Sequence, residues 1–190
     1  MTATDVEFLE ILTAEREIKN VMHSYVRGCD RKDYDRVRDA YHEDAFDDHG
    51  PIKALKPGLM EWIQNYNKDT HQMMHLISEP YIEWHGQIAS VETYCLLIQQ
   101  MNSTVGDQEN SPRYCTQAVR YADRFEKHDG KWRIAHRVVI YEAIRDEEAT
   151  PPPAGAVYIL PEWTKAVRSL QDPIYTVLTA KPMEDDTGSH

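Results

Sequence analysis

The stretch Phe125-Glu126-Lys127-His128-Asp129-Gly130-Lys131-Trp132-Arg133-Ile134 reads as a hairpin, because Asp-Gly supplies the positive-φ positions of a tight reversal between two alternating strands. On its N-terminal side, Tyr114 to Lys127 places Cys115, Gln117, Val119, Tyr121 and Phe125 on one face. On its C-terminal side the chain returns through Trp132 to Ile144. Further out, Ile88 to Met101 is a long strand around Tyr94-Cys95-Leu96-Leu97-Ile98, His85-Gly86 is a turn, and Met73 to Trp84 is the strand before it. Residues 102–112 are polar, with one glycine and one proline, and read as a flexible loop.

Before residue 71 the period is helical. Ile18, Val21, Met22, Tyr25, Val26 and Cys29 recur at steps of three and four, which sets a helix over about 15–29 facing a core. Residues 1–14 read as a separate short helix, with Thr13 as the cap between the two. A short helix around Tyr34 to Tyr41 follows, then an extended piece from Ala45 to His49 ended by Gly50-Pro51, and a third helix through Leu59, Trp62, Ile63 and Tyr66. Helices first and antiparallel strands afterwards imply an α+β domain over residues 1–148, a strongly curved sheet wrapped around N-terminal helices, with a ligand cavity between the two. Pro151-Pro152-Pro153 ends that sheet. Residues 149–190 form an extension whose apolar stretch, Val157 to Leu178, covers either its own pocket or a subunit interface before a disordered-looking end from Asp185.

At 190 residues and a formal net charge of −11, the chain suits one sizeable core and lacks the basic patch that nucleic acid or an anionic membrane surface requires. No run approaches the length of a membrane span, and the first 20 residues are too acidic for a signal peptide. Cys29, Cys95 and Cys115 lie far apart and read as core thiols in a reducing compartment, hence a cytoplasmic protein. The partners this leaves are small molecules and other protein chains.

Asp30 falls four residues after Val26, on the edge of the buried helix face and at the unfavourable end of the helix dipole. Either it opens the turn that follows or it serves a reaction. His75 shares a strand face with Met73 and Ile77, and reads either as a satisfied core histidine or as a base oriented by a carboxylate. His71 and His75 with one carboxylate would also meet the ligand count for zinc, but two histidines four apart recur by chance, and no metal is expected. Asp47 and His49 share one face just before the Gly-Pro turn, as a polar strand end or a pocket rim. His136 and Arg137 point to opposite faces of the last strand, so that one of them can steady anionic charge. Tyr25, Tyr94, Tyr114 and Tyr121 are candidates for lining the interior.

These elements together resemble the SnoaL-like family of the nuclear-transport-factor-like superfamily, which includes bile-acid dehydratase, scytalone dehydratase and lindane dehydrochlorinase. The resemblance covers residues 12–145 and rests on Tyr25 to Asp30 at a helix end, on His75 in Met74-His75-Leu76-Ile77-Ser78-Glu79-Pro80, and on the Asp129-Gly130 hairpin. It implies a cone-shaped pocket, His75 as general base, Asp30 orienting it, and Tyr25 polarising the leaving or accepting oxygen. His49 and His71 are extra donors beyond the family pattern. No cofactor is expected, so proton transfer falls to side chains, and the resemblance implies a lyase: water loss, or formaldehyde release from a lignin-derived diaryl compound. Isomerisation, cyclisation and a non-catalytic role as a binding module or oxygenase subunit also occur in the family. Catalytic relatives are often trimeric, so a homo-oligomer is expected, with a trimer favoured over a dimer.

Overall fold

In a computed structural model, described over residues 3–105, 108–150, 155–156 and 159–178, helices cover one face of a seven-stranded mixed sheet. Helix α1 (Ala3–Arg31) is one continuous helix. The expected break at Thr13 is absent because its hydroxyl donates to the Leu9 carbonyl 2.7 Å away, one turn back, instead of capping a new start. Helix α2 (Tyr34–Asp39) is capped by Asp33, and α3 (Lys56–Tyr66) begins with Pro57 in its first turn, where a missing N–H costs nothing.

The strands are β1 (Tyr41–Asp48), β2 (Lys53–Leu55), β3 (Thr70–Ile77), β4 (Tyr81–His85), β5 (Ile88–Val105), β6 (Gln108–His128) and β7 (Lys131–Glu148). They run in the order β2-β1-β7-β6-β5-β3, with β4 also paired to β5. Two sequence expectations are corrected here. Met73 to Trp84 is two strands, interrupted at Ser78-Glu79-Pro80, where proline removes a ladder donor. The stretch 102–112 is mostly strand, with Asn102 opposite Pro112 and Ser103 opposite Ser111, since a polar stretch flanked by paired strands gains the same ladder bonds as an apolar one.

The sheet is α+β as expected, but it is not strongly curved into a closed wrap: it is open, with β2 at one edge and β3 at the other. Strand β1 joins β7 in parallel, which makes the sheet mixed. Cross-strand register arranges the helix-facing side chains in rows. Met73, Gln99 and Cys115 form one; His75, Leu97, Gln117 and Ile144 the next; Ile77, Cys95, Val119 and Tyr141 the third. Farther along, Tyr121, Phe125 and Ile134 pack with Ile18, Met22 and Tyr25 of α1 in one core. Side chains of this size contribute about 1.5–3 kcal/mol each when fully buried. A fourth helix, α4 (Pro173–Leu178), lies in the extension. Pro151–Pro153, Val157, Tyr158 and the stretch from Asp185, which carried sequence expectations, lie outside the described residues.

Candidate active site

A cavity of about 370 Å³ opens between α3 and the sheet. Its floor is the His75 row together with Met73 and Tyr141; its walls are Tyr25 and Cys29 of α1, Trp62, Ile63, Tyr66 and Asn67 on or just after α3, and the His49-Gly50-Pro51 turn. Trp62 and Tyr66 are one turn apart and stack with ring centres 5.2 Å apart, while His49 lies 5.3 Å from the Trp62 ring. The lining thus carries the rings of Tyr25, Trp62, Tyr66 and Tyr141, and among the described lining residues none is a lysine or arginine.

Asp30 and His75 meet at one side of this cavity. The Asp30 carboxylate lies 2.6 Å from His75 Nδ1 and accepts the His75 backbone N–H at 3.2 Å. An ionised carboxylate only accepts, so Nδ1 carries the hydrogen and Nε2, across the ring, is left as the basic nitrogen. The strand period turns His75 inward with Met73 and Ile77, and the end of α1 delivers Asp30 to it.

A second pair of the same kind stands on the β1 side. His49 Nδ1 lies 3.0 Å from Asp47 Oδ1, and Asp47 Oδ2 accepts from the Tyr41 hydroxyl at 2.7 Å. The Arg137 guanidinium donates to Tyr41 Oη at 3.2 Å and to both oxygens of Asp123 at 2.7 Å. A buried chain of five polar groups therefore ends at an imidazole in the cavity wall. Tyr141 braces this corner: its hydroxyl donates to the His49 carbonyl at 3.0 Å. Gly50, at φ +81°, has Tyr141 Cε2 only 2.7 Å from where a Cβ would stand.

Burial pushes the Tyr25 phenol well above its ordinary range, Cys29 adds to this, and Arg137 opposes it, so Tyr25 is a neutral donor. Burial, with the Asp30 charge adding to it, likewise pushes the Cys29 thiol up to about 12, which makes it an inert wall rather than a nucleophile. Burial raises Tyr66 too, against the amide of Gln99, which donates to its hydroxyl at 2.7 Å.

The remaining sequence candidates are distributed differently. His71 is exposed, because an irregularity in β3 between Thr70 and Gln72 turns Thr70 inward and His71 out. Arg137 is inward and fully buried, but it is held by Asp123 and lies between the rings of Tyr25 and Tyr121, at 4.4 and 4.2 Å. Burial alone would lower Arg137; the Asp123 carboxylate keeps it above its usual value. His136 lies on the opposite face, edge-on to Phe46. Tyr94 and Tyr114 are exposed on that outer face, and Tyr121 sits beneath Tyr25, outside the cavity lining. The sequence pattern places Trp62 and Tyr66 on the third helix by their helical repeat, with no role in a site, and does not single out Gln117, Tyr141 or Asn67 as site residues. The alternation that puts Gln117 inward is visible in the sequence; the register that sets it beside His75's row is not. Among the described residues no group of three or more His, Cys, Asp or Glu is arranged to hold a metal, and no helix is long and apolar enough to cross a membrane.

The fold has many solved counterparts. A protein of Novosphingobium aromaticivorans DSM 12444 provisionally named a scytalone dehydratase superposes with a TM-score of 0.63, at 18% identity over 82% of this chain and 99% of its own. The hexachlorocyclohexane dehydrochlorinase LinA-type3 of Novosphingobium barchaimii LL02 gives 0.64, at 16% identity over 80% and 99%. The beta subunit of an aromatic-ring-hydroxylating dioxygenase, so named provisionally, from N. aromaticivorans DSM 12444 gives 0.54, at 22% identity over 71% and 93%. At such identities these likenesses are of fold alone. A search of curated proteins finds no match. The model of the SnoaL-like domain matches residues 10–138, more than half of the chain and all of its helix-and-sheet core but the ends. The protein is therefore a member of the SnoaL-like family, within the nuclear-transport-factor-like superfamily.

Proposed function

We propose that this protein is a cofactor-independent lyase that acts on an uncharged, hydroxylated aromatic molecule by proton transfer between side chains. The observation that carries this reading is the pair of imidazoles, His75 and His49, each with Nδ1 against its own carboxylate and both lining one aromatic cavity. A base and an acid held apart on one substrate are what an elimination needs. The absence of a cationic side chain from the described lining favours a neutral substrate over a carboxylate or phosphate ester. A volume near 370 Å³ has room for aromatic rings, which disfavours a purely structural Asp30–His75 pair.

Formaldehyde release from a diaryl compound bearing a hydroxymethyl group and a benzylic hydroxyl fits this arrangement. His75 takes the proton of the hydroxymethyl oxygen. The bond from that carbon to its neighbour breaks, formaldehyde leaves, and the electron pair forms a carbon–carbon double bond that expels the benzylic hydroxide. His49, with Tyr25 as a hydrogen-bond donor, supplies the proton that turns this hydroxide into water. Simple water loss would use the same groups, with His75 taking its proton from carbon instead.

Incubation with a 1,2-diarylpropane-1,3-diol, with the product masses recorded, tests the reading. Formaldehyde, water and a stilbene are expected from the wild type, and loss of water alone would move the assignment to dehydratase. His75→Ala should lose about 100-fold to 10,000-fold in rate, with Asp30→Asn following it. A near wild-type rate in His75→Ala would remove the base from the mechanism.

We also propose a homo-oligomer, trimer before dimer. Met74, Leu76, Tyr94, Leu96, Ile98 and Tyr114 form an exposed, largely apolar face on the side of the sheet away from the helices, in addition to the extension.

A further inference from the structure

The extension lies outside the residues matched to the family, yet one of its side chains reaches the catalytic corner. Arg168 donates through Nε to the Asp30 carbonyl at 3.2 Å and through Nη2 to the Cys29 carbonyl at 2.9 Å. These are the carbonyls of the two peptide groups that flank the Asp30 Cα. The same guanidinium donates through Nη1 to the Thr70 carbonyl at 2.7 Å, at the start of β3, and lies 3.4 Å from Met73 Sδ. It therefore ties the end of α1, which carries Asp30, to the strand that carries His75. A further bond, at 2.7 Å to Asn67 Oδ1, reaches the cavity wall.

From this geometry we propose that Arg168 is a positioning residue for the Asp30–His75 pair, so that the C-terminal extension is a working part of the centre. The proposal rests on the reading of that pair as the acid–base group. Several physical reasons support it. The last carbonyls of an α-helix have no partner within the helix, and Asp30 puts a negative charge where the helix dipole is already negative. A cation that binds those carbonyls addresses both problems at once. Only the flat fork of an arginine presents enough fixed donors to reach two carbonyls of α1, one of β3 and an amide together.

The clamp is itself held. Asp172 accepts the Val167 N–H at 2.8 Å, accepts the Ile174 N–H at 3.1 Å and lies 3.4 Å from Arg31 Nε, while the Tyr175 ring sits 4.9 Å from the Arg27 guanidinium. The segment 167–175 is thus held together by Asp172 and seated on the last two turns of α1 through Asp172 and Tyr175.

The test uses the full, ligand-free chain, so it does not depend on any substrate. A hydrogen held between His75 Nδ1 and Asp30 at this distance gives a far-downfield imidazole proton resonance, identified by its loss in His75→Gln. Arg168→Met is expected to lose or shift that resonance while the amide spectrum of β5 to β7 stays unchanged, and Arg168→Lys is expected to restore it in part. With the diol as substrate, Arg168→Met should lower kcat roughly 10-fold to 100-fold with little change in KM, as a misplaced base does. If Arg168→Met does not fold, Asp172→Asn frees the segment without altering a group that touches Asp30, and must disturb the same resonance. An unchanged resonance in these variants overturns the proposal, as does a wild-type spectrum without it. A disturbed resonance in a protein that turns over no diol supports the clamp and refutes formaldehyde release from such diols.

Discussion

Arg137 is the residue whose role in the fold departs furthest from its sequence reading. Strand alternation puts His136 and Arg137 on opposite faces without choosing between them; the inward one is Arg137, and an inward arginine has a partner by necessity, here Asp123, bound through both carboxylate oxygens at 2.7 Å. Arg137→Met should cost about 3–5 kcal/mol, because it strands a buried carboxylate without its cation. Urea unfolding of that variant beside Arg137→Met/Asp123→Leu checks this, and the double variant should recover much of the loss. The cation of Arg137 supports Tyr41, and through it Asp47 and His49, without touching the cavity. Local period puts Asp30 and His75 on buried faces, but their pairing across 45 residues was legible only through the family resemblance. Asp123 and Tyr41 were not, because their partners lie 14 and 96 residues from them along the chain.

The elements obey local rules up to the point where tertiary contacts override them. Thr13 could cap a helix, but α1 runs straight through, since the residues after it keep packing on the core. The crossing of α1 and α2 depends on a position with no side chain. A Cβ at Gly28 would stand 2.9 Å from the Asp33 carbonyl oxygen and 2.9 Å from Val37 Cγ2. The first of these is backbone and cannot swing aside. Gly28→Ala should therefore destabilise by roughly 1–3 kcal/mol, the range typical of overpacking, in place of the gain expected from alanine in a helix. A thermal melt that rises on this change would refute the close crossing.

For the whole molecule, the order of helices before strands and the Asp129-Gly130 hairpin were enough to read the α+β plan. The β1–β7 parallel pairing was not, because nothing local in Ala45 to His49 distinguishes a parallel edge partner from an antiparallel one. The open sheet leaves an apolar outer face, and its Tyr94, Leu96 and Ile98 alternate with the inward Cys95 and Leu97 of the same strand. Light scattering at micromolar concentration should give a mass of three chains, and Leu96→Lys should lower it toward one. A monomeric wild type would refute the oligomer.

The two histidines, each with a carboxylate of its own, have a kinetic consequence. If His75 gains a proton and His49 gives one up in the same turnover, the protein that releases product is an isomer of the one that bound substrate. It must exchange those protons with solvent, or pass one across the emptied cavity, before it can react again. Turnover at saturating substrate then contains a step in which no substrate is present, and that step slows in heavy water. An enzyme with a single histidine that both takes and returns the proton has no such interval.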